Sequence, residues 1–529
     1  MNLYKIKASE RVNMKWFMLG CGIWLAASCF GNVRAQEVAP GKEGGKNNLG
    51  STMTLEELKN GGKPPVPVEQ QPVKTRLLTS AAEPIPALRY RFWPAAQELK
   101  GGDAKVHFFR MAVSFNSSQR SDEMRKYNLK WEELRDAGQE VPVQEIRKLF
   151  EPYRLHFEEL ETMSLCDRQT LDMQIRDLRG ADVYSVTLEE IQVARDLARL
   201  LRWRMVEQAA AGDWDRFART ARTGYRLAAL VASGDTLIHN LVGIAITNLI
   251  TDEVQRAGEY KDSPNFYWAL ASLPRPMFNL TTSLELETSI VERVFPFLVE
   301  CRKGPLPESV IQKHWETMQK TLRDIDVGFS VSAGVVGALN VETAKANLRQ
   351  RGWKEENFKG YPAMQLVLID LDDTMRETGD MAMKYFLLPD SVGQQLRVRE
   401  NEAFEKWLKE NKSLAGHLAN MLFPALISAD RAARRVEHVI NAAMNREALR
   451  MHVAKHGALP ESMAALDPVP ALPNPFTNRP FELSVKPTGD NTTGDNKRVE
   501  VSLLGEVPGF TAEQVTWIYP FLIELNQKP

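Results

Sequence analysis

The sequence predicts a mainly α protein: an irregular helical bundle or short helical array with a small α+β module at its C-terminal end. Three observations predict it. From about Ile85 to His456, apolar residues recur at helical spacing, and Gly and Pro interrupt them at irregular intervals, without strand-length alternation. Within that stretch "TLIHNLVGIAITNLI", from Thr236 to Ile250, is apolar nearly all round, the pattern of a helix buried on most sides. After His456-Gly457 the pattern changes to turn residues and short alternating runs, as in "LPNPFTNRPFELSV". At 529 residues the chain is long enough for more than one core, and 43% hydrophobic with 26% charged residues is ordinary for a globular protein. A net charge of -1 supplies no global field for DNA or RNA, so nucleic acid is not an expected partner.

The elements follow in chain order. Lys5, Lys7, Arg11 and Lys15 precede an apolar run from Trp16 to Phe30 that ends in Val33-Arg34-Ala35. That order is the layout of a signal peptide over residues 1–35, cut after Ala35. The run falls short of the roughly 20 residues a spanning helix needs. The expected location is therefore exported, periplasmic or extracellular. Membrane contact would come only through an uncleaved N-terminus or one lipidated at Cys29, where "AASC" loosely resembles a lipobox. Residues 36–84, with "APGKEGGKNN" and "KPPVPVEQQPVK", lack the apolar surface to offset ordering entropy and read as a disordered linker. After such a cut Cys166 and Cys301 remain, and both a disulfide and separate burial stay open.

Residues 85–440 form the expected helical domain. Thr187-Leu188-Glu189-Glu190 has capping-box spacing and starts a helix. "AAAGDWD" turns the chain into a second helix through Phe217, Tyr225 and Leu230, and "ASGD" turns it into the third. The stretch "GDWDRFARTARTGYRLA" is similar to a tetratricopeptide helix pair, which implies helices packed closely through small residues, although Gly212 and Gly234 do not keep that family's spacing. In "SPNFYWALASLPRP", Ser263 and Pro264 open a short helix; its adjacent aromatics Phe266, Tyr267 and Trp268 could line a groove but more often bury in a core, and Tyr267, Trp268 and Arg275 are of the residue types that dominate binding surfaces.

Residues 441–529 read as a helix plus a small β module. The helix ends at His456-Gly457, and two strands follow, one in "RPFELSV" and one from Arg498 to Leu504. A helix leading into Gly-x-Leu-Pro and then "NPFTNRPF" before strands resembles the globular head of a type II secretion pseudopilin, which implies a fold for this tail. The signal-like N-terminus, "TLIHNLVGIAI", "PNFYWALASLPRP" and this tail together are similar to a group of uncharacterised exported bacterial helical proteins.

The segment "QLVLIDLDDTM" resembles the opening motif of a haloacid-dehalogenase-type phosphatase, an apolar strand ending in D-x-D-x-T. The resemblance implies Asp370 as nucleophile, Asp372 as general acid/base and Mg²⁺ as cofactor. Its later elements are not evident: Ser391 in "YFLLPDS" is the only candidate for the following hydroxyl. Helical periodicity opposes the resemblance. Met364, Val367, Leu368, Leu371 and Met375 fall along one helix face, so Gly360 to about Phe386 is expected to be helical, with Asp370 and Asp373 solvated on the opposite face. His452 and His456 have the i, i+4 spacing of a two-histidine metal site, or face the negative end of their own helix before Gly457. His239 is expected as a hydrogen-bonded core histidine, and "RAARR" at Arg431–Arg435 as a solvated face. No Walker loop, Rossmann fingerprint or Gly-x-Ser-x-Gly elbow is present, and no cofactor is expected.

These observations point to an exported helical scaffold or protein-interaction protein that binds rather than turns over. Its partner would be an unknown protein or envelope component, contacted first through Tyr267, Trp268 and Arg275. The alternatives are the Mg²⁺-dependent phosphatase of Asp370 and Asp372, and a hydrolase or binding protein with its site in a helical cleft.

Overall fold

A computed structural model of the chain describes residues 76–115, 118–137, 139–186, 188–325, 341–388, isolated positions between 393 and 410, and 414–487, 496–508 and 514–526. The signal-peptide reading, Cys29, Thr187, Ser391 and the linker up to residue 75 lie outside these residues.

The described chain is mainly helical with a small sheet near its C-terminus. Apart from three short helices at Asp182–Ser185, Ile290–Val294 and Phe297–Cys301, the described α-helices are α1 (Ala104–Phe115), α2 (Ser118–Asp136), α3 (Val143–Phe150), α4 (Arg154–Leu165), α5 (Glu189–Ala210), α6 (Trp214–Ala232), α7 (Leu237–Ala257), α8 (Tyr267–Ala271), α9 (Thr281–Thr288), α10 (Glu308–Ile325), α11 (Val341–Gln350), α12 (Ala363–Met383) and α13 (Leu414–His456). No described helix is long and apolar enough to cross a membrane.

Helices α5, α6 and α7 pack consecutively and form the centre of the body. Gly212, at a positive φ of 67° that suits glycine, makes the first turn, and the Asp213 carboxylate caps α6 by accepting the Arg216 amide at 3.1 Å. Close approach of α6 to α7 depends on missing side chains. A Cβ at Gly243 would sit 2.6 Å from the Ala228 carbonyl oxygen, and one at Gly224 would sit 2.6 Å from Ile250. α7 is buried on most sides, as its uninterrupted apolar pattern predicts.

α13 joins the two cores of the protein. Val436, Ile440, Met444, Ala448 and Met451 face the large helical core, while Val439, Ala442, Leu449 and Val453 face the sheet. A domain boundary at 440/441 therefore falls inside one continuous helix. Gly457, with φ of 70°, ends it. The sheet runs in the order β1-β6-β5-β4, with β4 (Glu482–Pro487), β5 (Asn496–Pro508) and β6 (Gln514–Asn526) antiparallel and β1 (Arg76–Leu78) parallel to β6. Strand β5 passes close to α13 because Gly505 has no side chain: a Cβ there would lie 2.4 Å from His438 Nε2. β2 (Lys100–Asp103) and β3 (Cys166–Arg168) form a separate two-stranded pair.

The linker expected to run to residue 84 ends earlier. Leu78 is buried in the sheet core, Thr79 Oγ1 donates to the carbonyls of Gly258 and Tyr260 at 3.3 and 3.2 Å, and Arg450 Nε donates to the Thr79 carbonyl at 2.7 Å. One buried leucine and a set of backbone partners order this stretch despite its polar composition. β6 is a third strand of the meander, beyond the two read from the sequence.

Candidate functional site

The phosphatase-like motif lies on helix α12, and helical geometry separates its two carboxylates. In a strand, residues i and i+2 share a face; in a helix they diverge by roughly 200°. Asp370 accordingly accepts from Arg351 Nη1 at 2.6 Å and Asn347 Nδ2 at 3.1 Å, whereas Asp372 pairs with Arg302 and, at 3.2 Å, with Arg376. The expectation that Asp370 would be solvated is corrected: it is 6% exposed and Asp372 1%. Other helices cover the flank that periodicity left open, since α9, α11 and α13 all pack on α12. Burial pushes the Asp370 carboxyl above its ordinary range, against the opposing pull of Arg351 and Asn347.

His452 and His456 are committed to the loop that follows them. His452 Nδ1 accepts the Asp467 amide at 3.2 Å, and His456 Nε2 meets the Asp467 carboxylate at 2.7 Å, with Lys455 on the same oxygen at 2.6 Å. Burial and the neighbouring His456 hold the His452 imidazole below its usual pKa. Among the described residues no group of three or more His, Cys, Asp and Glu is arranged to hold a metal ion. His239 is fully buried between Thr236 Oγ1 at 2.7 Å and Glu190 Oε1 at 3.3 Å. Cys166 and Cys301 are both free and buried, and burial raises the Cys301 thiol to about 11.

The expected contact residues Tyr267, Trp268 and Arg275 each have a hydrogen-bond partner within the molecule, and Trp268 and Arg275 keep part of their surface exposed. Tyr267 is buried and donates its hydroxyl to the Pro470 carbonyl at 2.8 Å. Trp268 Nε1 donates to Glu83 at 2.5 Å, and Arg275 Nη1 donates to Asn441 at 2.6 Å. All three clamp the 80s segment, the proline-rich loop and α13 to the body. Large amphipathic side chains serve an internal seam as well as an external one, and residue type alone does not distinguish the two.

A cleft that the sequence reading did not single out lies between α4, α5 and α6. It has a volume of about 100 Å³ and is lined by Phe157 and Glu161, by Leu201, Arg204 and Gln208, and by Arg216, Arg219, Thr220 and Thr223. Each helix contributes one face: 157 and 161 are spaced i, i+4, 201, 204 and 208 are i, i+3, i+7, and 216, 219, 220 and 223 are i, i+3, i+4, i+7. The Arg204 guanidinium lies over the Phe157 ring at 4.2 Å and makes no ion pair among the described residues. Burial holds it below the usual arginine range. Arg216 meets Asp213 at 3.4 Å and Arg219 meets Glu161 at 3.6 Å, both most closely through Nε, and among the described residues their terminal nitrogens donate no hydrogen bond. Gln208 is 3% exposed, and its Oε1 has no hydrogen-bond partner. The sequence signal was present in "RWRMVEQ" and "DRFARTART", where arginines interrupt faces that continue into apolar core.

Compared with known proteins, the chain matches no family model, no curated protein and no solved structure.

Proposed function

We propose that this protein is an exported helical binding scaffold that holds a ligand or partner in the cleft between α4, α5 and α6 without turning it over. The observation that carries the reading is the surplus of unpaired guanidinium donors there, presented by three packed helices. Sites on rigid elements are preorganised, so little ordering entropy is lost on binding. The carboxylates and imidazoles that catalysis would recruit elsewhere already have structural partners: Asp370 and Asp372 point to different arginines, and His452 and His456 both close on Asp467. Export rests on the order of basic, apolar and small residues before Gln36.

A photo-crosslinking amino acid at Ala211, exposed about one turn beyond Gln208, tests the reading in the full chain expressed in a bacterial envelope. Crosslinking to a discrete species that disappears on Arg219→Glu supports it. Steady turnover of a substrate in a broad hydrolase screen, abolished by Asp370→Asn, replaces it with the Mg²⁺-dependent phosphatase. An N-terminus that retains Met1 in mass spectrometry of the envelope fraction removes the cleaved-export part.

A further inference from the structure

The donor set of the cleft narrows what it can hold. Three guanidinium groups approach from two helices, against one lining carboxylate, Glu161. A planar carboxylate has two oxygens and is satisfied by one arginine fork, whereas a phosphate monoester offers three terminal oxygens in three directions. Arg204, Arg216 and Arg219 supply donors from three separate positions, and among the described residues none of the three donates a hydrogen bond from a terminal nitrogen. The Gln208 side chain closes the inner wall of the same cleft.

Size and surroundings limit the ligand further. By the measure in which about 10–15 Å³ holds one water, the cleft volume of about 100 Å³ suits a compact molecule. Glu161 lines the cleft and Asp213 pairs with Arg216 there, so it is not the broad basic face that an anionic bilayer attracts. We infer that the cleft binds a small, soluble phosphate monoester, with Arg204, Arg216 and Arg219 holding the phosphate. This rests on the reading of the cleft as a binding site and adds the chemical class of its ligand.

Isothermal titration calorimetry of the full chain against glycerol 3-phosphate, inorganic phosphate and glycerate tests it. Saturable one-to-one binding of glycerol 3-phosphate is expected, weakened at least tenfold by Arg204→Gln and by Arg219→Gln, with salt lowering affinity in each case. Arg219 is exposed, so its variant keeps the test valid if Arg204→Gln folds poorly. Binding of glycerate with equal affinity, phosphate binding indifferent to both arginine variants, or attachment to phosphatidic-acid vesicles without soluble binding would each overturn the inference. Absence of any phosphate binding, together with an Arg219-dependent crosslink at Ala211, would sink the ligand class while leaving the binding reading intact.

Discussion

Two arginine-rich regions of this molecule use the same side chain to opposite ends. Around α12, Arg302 touches Asp372 and Asp373, Arg351 touches Asp370 and Glu377, and Arg376 touches Asp372 and Glu292. Each guanidinium there meets two carboxylates. In the cleft, Arg216 and Arg219 each meet one carboxylate through Nε, and Arg204 meets none. A guanidinium carries five donors, so two carboxylates come close to saturating it, while one leaves donors for something outside the chain. Around α12 the surrounding carboxylates account for the arginine donors, so an acidic motif resembling a catalytic one falls on the saturated side.

The saturated kind of cluster should break hardest where burial is most complete. Glu253 on α7 takes both Nη atoms of Arg135 at 2.9 and 3.0 Å and Nε of Arg202 at 3.3 Å, with all three side chains nearly inaccessible. Burial alone would raise its pKa, but the charges of Arg135, Arg202 and Arg256 outweigh burial and hold the carboxyl below its ordinary range. Glu253→Ala leaves two buried cations without their shared partner and should cost about 3–5 kcal/mol in urea unfolding. A loss under about 1 kcal/mol would mean that water reaches this cluster and that saturation is not what stabilises it.

Asp370 tests the same idea at the motif itself. Asp370→Ala should cost about 2 kcal/mol, less than Glu253→Ala, because Arg351 keeps Glu377 at 2.7 Å and Thr374 at 2.9 Å. The asparagine variant should cost less still, since it can accept from Arg351. Neither should alter ligand binding in the cleft. A Mg²⁺-dependent phosphatase activity lost in Asp370→Asn would show that the local resemblance, not the ion pairing, explains these carboxylates.

What could be read from the chain beforehand follows from which forces are local. α12 was legible because five apolar residues repeat along one face, and the end of α13 because Gly457 follows two histidines and a lysine. The burial of Asp370 was not legible: it depends on Arg351 and Asn347, which come from an element whose packing no periodicity specifies. β6 was missed because "QVTWIYPFLIELN" is apolar almost throughout and contains Pro520, which argues against a paired strand. In place, Pro520 lies opposite Ser502 while Trp517, Tyr519, Phe521 and Ile523 are buried. The cleft was hidden for a related reason. Arg204, Arg216 and Arg219 share a surface only once the rotation of α5 and α6 about their own axes is known.

The tail offers a contrast to both regions, because its buried titratable group faces aromatic rings instead of carboxylates. His438 packs against Phe476, Phe481, Trp517 and Tyr519, and its Nδ1 meets the Tyr519 hydroxyl at 2.8 Å. Burial, with a smaller push from Arg435, lowers its pKa to about 3. The folded form therefore stays neutral where the unfolded chain, near 6.5, takes up a proton. The stability present above pH 6.5 should fall as pH drops from there toward 3, by about 1.4 kcal/mol at pH 5.5. His438→Gln should flatten that part of the stability curve, whatever it costs at neutral pH. An unchanged slope would place the acid sensitivity in the carboxylate clusters.

The smallest effect should come from the unsaturated side, and its smallness is what separates the two regions. Arg204 contributes a cation–π contact with Phe157, worth about 0.5–1 kcal/mol at a partly exposed site. Against that stands the cost of holding a desolvated charge with no carboxylate in contact, a cost that appears as its lowered pKa. The two oppose each other, so Arg204→Gln should change stability by less than about 0.5 kcal/mol in the absence of ligand. Arg351→Gln, which strips Asp370 and Glu377 of one shared partner, should cost about 2 kcal/mol in the same denaturation experiment. Equal losses in the two variants would mean that Arg204 is held by the fold as firmly as Arg351 is. The cleft would then be another structural seam, and its free donors would need some other explanation than a ligand.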